Sequence, residues 1–145
     1  MAIKINTEKR IFTLETKHTM YQMQADTYGV LRHLWYGAKT GCDMSYLQDY
    51  PDVGFSGNPH DAGNDRTYSL DTLPLEYAGA GIGDFRVPAV EAVHADGSCA
   101  LDLRYYSHTV KQGKYAIAGL PALYAGEDEA ETLEVVLRDT LLRWK

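Results

Sequence analysis

The feature that most restricts this chain is a two-residue rhythm. Along Ile11–Thr16 (IFTLET), Thr19–Ala25 (TMYQMQA), Gly29–Gly37 (GVLRHLWYG), Pro88–His108 and Glu131–Leu137 (ETLEVVL), apolar residues recur at every second position. Successive side chains of an extended strand point to opposite faces, so this rhythm predicts strands with one face turned to a core. A helix needs a 3.6-residue period. The one segment that tempts a helical reading, Asp128–Arg138, carries Thr132, Val135 and Val136 and is followed by no capping glycine. β-branched side chains lose rotamer freedom in a helix, so this segment too reads as a strand.

Turn residues separate the alternating runs. Ala95–Ser98 (ADGS) is a strong hairpin signal and Lys111–Lys114 (KQGK) a second one. Together they predict an all-β, antiparallel chain, and 145 residues are enough for one domain with its own core. Between Gly41 and Gly83 the rhythm stops, and prolines and glycines crowd together. A loop of this length inside a compact domain is either functional or disordered. Its aromatic residues Tyr46, Tyr50, Phe55, Tyr68 and Tyr77 favour order.

Charge and composition exclude several classes of function. The net charge is −6 and the basic residues are scattered, which argues against a nucleic-acid partner, since phosphate affinity is carried by clustered Lys and Arg. No apolar run approaches the ~20 residues that span a bilayer, so no membrane partner is expected. The N-terminus shows no basic stretch followed by an apolar one, and Cys42 and Cys99 form no motif. A cytoplasmic protein is therefore expected.

Gly79–Asp84 (GAGIGD) resembles a dinucleotide loop but places Asp84 where the third glycine belongs, and Phe85-Arg86-Val87-Pro88 cannot open the helix that would cap a pyrophosphate. The run reads as a tight turn in which glycines supply positive φ. His18, His33, His60, His94 and His108 have no metal-ligand spacing, so neither a metal nor a cofactor is expected. Ser56, Ser69, Ser107 and Cys42 sit in no nucleophile elbow. Asp71, Glu76, Asp84 and Glu91 contain the residue type a glycosidase pairs across its bond, yet their placement suits turn-capping acids better. Glu127–Glu131 reads as a solvated face, and of Tyr105 and Tyr106 on one strand, one must point inward.

The longer stretches Asp65–Ala89 (DRTYSLDTLPLEYAGAGIGDFRVPA), Asp102–His108 (DLRYYSH) and Gly119–Leu137 (GLPALYAGEDEAETLEVVL), with Phe12–Gly37 ahead of them, resemble the start of the bacterial α-galactosidases of glycoside hydrolase family 36. The resemblance runs from about Ile3 to Asp139. It implies that residues 1–145 are a single β-sandwich domain, or roughly the first half of the family's large N-terminal β-sandwich, with a long ordered loop. The retaining catalytic aspartates belong to a barrel absent from this chain, which is then expected to be inactive alone. Its role would be to support oligomer assembly and to complete a neighbouring subunit's pocket for α-galactosides such as raffinose or melibiose.

In tetrameric members the segment matching Pro51–Arg66 reaches into that pocket. Carried over, Asp52 would accept hydrogen bonds from sugar hydroxyls, Arg66 would donate them, and Phe55 would form an apolar wall. Three alternatives stay open: an Arg66 ion pair to Asp65, Asp71 or Asp84, a stand-alone carbohydrate-binding module using Tyr105, Tyr106 or Trp35, and an enzyme with a carboxylate pair of its own.

Overall fold

The computed structural model describes residues 2–48, 50–52, 54, 58–122, 124–126 and 129–141. Four strands, β1 (Ala2–Asn6), β2 (Ile11–Glu15), β3 (Thr19–Ala25) and β4 (Leu31–Ala38), form one antiparallel sheet in chain order. A second sheet pairs β5 (Leu103–Gln112) with β6 (Glu131–Asp139), also antiparallel. Among the described residues the only helical elements are short 3-10 turns at Ser45–Gln48 and His60–Ala62. The fold is all-β, and its two sheets face each other.

The alternation explains the layering. Phe12, Ala25 and Leu31 turn toward the second sheet, where Tyr105, Leu133, Val135 and Leu137 meet them. Phe12 is fully buried, with the Tyr105 ring 5.9 Å and the His108 ring 5.0 Å away. On the opposite face of the same sheet, Ile11, Met20 and Leu34 are covered by Met44 from the segment after β4. Strand β2 is therefore buried on both faces, which is why Ile11 and Phe12 are adjacent apolar residues. Gln22 fastens this cover: its amide donates to Thr13 Oγ1 at 2.9 Å and its carbonyl accepts the Met44 N–H at 2.8 Å.

Three expectations are revised. Strand β1 belongs to the sheet although Met1–Asn6 gave no reading as a strand. The turn at Ala95–Ser98 forms, with His94 N–H donating to Ser98 O at 2.9 Å, but Pro88–Asp102 is not a ladder. The backbone donors of Ala89 and Leu101 go instead to the Ala78 and Ala80 carbonyls of the glycine run. The Lys111–Lys114 segment is not a tight hairpin either. Gly113 turns the chain at φ +89° and donates to Ala130 O, and residues 113–130 intervene before β6 begins. The strand assigned within Asp128–Arg138 is β6.

Candidate functional site

The long segment after β4 is built on its own small core of Val30, Ala62, Tyr68, Leu70 and Leu73. Two charged clamps hold that core, one to the first sheet and one to the loop that follows the glycine run. The first is Asp26, buried at the β3–β4 turn. Its Oδ1 accepts the N–H groups of Tyr28 and Val30, each at 2.9 Å, its Oδ2 accepts the Tyr68 hydroxyl, and Arg32 Nε lies 3.3 Å from Oδ2. Burial, and then the hydrogen bond to Asp26, raise the Tyr68 phenol well above its ordinary range, so it stays a donor.

The second clamp is Asp84 with Arg86. The guanidinium donates to both Asp84 oxygens at 2.9 Å, and its Nη2 also reaches the Leu70 and Leu73 carbonyls at 2.7 and 2.8 Å. That hydrogen bonding holds the Asp84 carboxyl below the usual carboxylate range. The glycine run therefore leads into a structural fastening. Gly81 and Gly83 adopt φ +78° and +101°, as a tight turn requires. Gly79 is needed for another reason: a Cβ there would lie 2.1 Å from Leu101 O.

On this base stands the segment 51–66. Arg66 Nε lies 3.2 Å from Asp52 Oδ1, and both side chains are half exposed, 59% and 51%. Asp52 Oδ1 also accepts the Gly54 N–H at 2.8 Å, and a Cβ on Gly54, at φ +77°, would come within 3.7 Å of Arg66 Nη2. The structure thus brings together two of the three residues singled out from sequence, while Phe55 lies outside the described residues. The anticipated partners of Arg66 are engaged elsewhere. Asp65 accepts the Thr67 hydroxyl at 2.6 Å and its N–H at 3.0 Å, Asp71 accepts the Ser69 hydroxyl, and Asp84 holds Arg86. Asp52 is the acid left for Arg66.

The other candidates disperse. Tyr105 packs inward against Phe12 and Trp35 lies over Gly37, whereas Tyr106, the extra residue of a bulge in β5, points out with the Arg138 guanidinium 3.2 Å above its ring. Glu76 accepts the Tyr21 hydroxyl and faces His33 Nδ1 at 2.9 Å. Asp71, Glu76 and Asp84 are thus each engaged by a neighbouring hydroxyl, imidazole or guanidinium. Sequence reasoning missed Asp26, although an aspartate two residues before a turn N–H is a recognisable Asx signal.

The sequence model of the glycosyl hydrolase family 36 N-terminal domain matches residues 29–145. This chain belongs to that family. The family 36 domain is 53% identical over 139 residues to the bifunctional alpha-galactosidase/sucrose kinase AgaSK of Mediterraneibacter gnavus, a match that covers 96% of this chain and 15% of that protein. The solved galactosidase domain of AgaSK superposes with a TM-score of 0.91 at 52% identity, over 97% of this chain and 20% of that one. The alpha-galactosidase AgaA of Geobacillus stearothermophilus is 41% identical over 145 residues, covering 98% of this chain and 20% of AgaA. A variant of AgaA solved in complex with raffinose superposes at a TM-score of 0.80, over 91% of this chain and 18% of that chain. The family 36 domain described here therefore spans about a fifth or less of the length of these relatives.

Proposed function

We propose that this chain is the non-catalytic N-terminal domain of a cytoplasmic α-galactosidase, that it supports a homo-oligomer, and that its 51–66 segment completes the α-galactoside pocket of a neighbouring subunit. The observation that carries this reading is the Asp52–Arg66 pair, raised on a clamped base. An exposed ion pair is worth about 0–1 kcal/mol, so it sets geometry without holding its groups back from a ligand. The acceptor and the planar donor fork stand side by side, a combination that suits adjacent sugar hydroxyls. The family relationship and the raffinose bound to the AgaA variant support the substrate class.

The test is complementation between subunits of the full-length enzyme. Asp52→Ala and Arg66→Ala are expected to raise the KM for raffinose at least tenfold and leave the secondary structure intact. Mixing either variant with subunits inactivated in the catalytic barrel is expected to restore low-KM turnover, because an intact segment then meets an intact barrel. No recovery on mixing, or an unchanged KM, would refute the role in a neighbour's pocket.

A further inference from the structure

Residues 84–87 alternate between fastened and free. Asp84 and Arg86 are locked to each other and to the Leu70 and Leu73 carbonyls, while Phe85 and Val87 are 84% and 93% exposed. The Arg86 N–H also donates to Asp84 Oδ1 at 3.0 Å. Pro88 follows, which confines Val87 to extended backbone. Two side chains with no polar atom are thus held out in water by a backbone fixed at both ends. Five hydrogen bonds made by Asp84 and Arg86 fix that posture. Rigid presentation removes most of the ordering cost of docking, and a central aromatic anchor is the usual source of binding energy at an interface.

The size of the projection selects the partner. One aromatic and one small aliphatic side chain bury about 300 Å2, against the roughly 800 Å2 per partner that a stable association between separate chains requires. Docking within one polypeptide needs far less, because the tether supplies a high effective concentration. In the solved AgaSK galactosidase domain this fold is only 20% of the chain. We propose that Phe85 and Val87 form a rigid plug that seats in an apolar pocket on the remaining portion of the same full-length polypeptide. This inference rests on the reading of the chain as the N-terminal domain of a longer α-galactosidase.

Hydroxyl-radical footprinting at Phe85 tests it without reading activity. The probe compares the 145-residue chain with a chimera in which this chain replaces the matching first fifth of the AgaSK galactosidase domain. Phe85 is expected to be oxidised at least tenfold more slowly in the chimera. Equal oxidation in both would overturn the plug, and so would protection in the short chain that grows with its own concentration, which would make the occupant a second copy. The double variant Phe85→Ser/Val87→Ser should leave the unfolding midpoint of the 145-residue chain within about a degree and lower that of the chimera by several degrees; an unmoved chimera argues against the proposal. Should the chimera not fold, the two pieces joined by a long flexible Gly/Ser linker keep the tether and give the same comparison. Phe85 is then expected to be oxidised at least tenfold more slowly in the linked pair than in the short chain, whereas equal oxidation of both would overturn the plug. The raffinose KM of Asp52 and Arg66 variants is independent of all these readouts, so failure of the pocket role and failure of the plug are separable.

Discussion

At the scale of single residues, the decisive contacts are made by atoms that leave little trace in a sequence. Gly79 has ordinary backbone angles, and only the approach of Leu101 O forbids a side chain. Gly79→Ala is therefore expected to destabilise the fold by about 3 kcal/mol, as overpacking against backbone does. Gly97→Ala, with open space around it but φ +84°, should cost about 1–2 kcal/mol from backbone strain alone. Urea unfolding of the two variants checks the order. The Asp84–Arg86 clamp gives a pH-dependent prediction. Because Arg86 depresses the Asp84 carboxyl in the folded state, the clamp's contribution is complete above the ordinary carboxylate value near 4 and is lost as pH falls from there through the depressed folded value. Asp84→Asn should cost about 2 kcal/mol at pH 6, with the gap to wild type narrowing in unfolding curves below about pH 4. The turn role of GAGIG was legible from its failed dinucleotide spacing. The partner of Arg66 was not, because choosing among four nearby acids requires knowing that Asp65, Asp71 and Asp84 are already occupied.

At the scale of elements, period-two patterning located β2, β3, β4 and β6 closely, since each has a face turned toward packed side chains. It overreached in Pro88–Asp102, where alternation is real but the backbone donors of Ala89 and Leu101 bond to the glycine run. It also missed β1, whose five residues alternate too briefly to stand out. The loop after β4 was legible as ordered from its aromatics, yet only the structure shows that Tyr68 does this by bonding Asp26. Phe12 joins both sheets and is fully buried, so Phe12→Ala is expected to cost about 3–5 kcal/mol. An exposed-face control on the same sheet, Tyr36→Ala, should change stability by less than about 1 kcal/mol. Calorimetric midpoints would separate these outcomes.

At the scale of the whole molecule, the two sheets are joined by long-range fastenings: the Ile3 N–H donates to Glu131 Oε2 at 2.7 Å, and the Tyr105 N–H donates to Gly29 O at 2.7 Å. The link between the strands of the second sheet is of another kind. Residues 115–122 and Tyr124 lie on the outside, and the β5–β6 ladder starts and ends without them. A chain cut in that excursion would keep every ladder hydrogen bond and every buried contact of Phe12. The domain is therefore built as two complementary pieces that happen to be threaded on one string. Severed there, it should behave as a split protein whose halves find each other again, which offers a place to insert a reporter or a protease site without touching the core or the segment that carries Asp52 and Arg66.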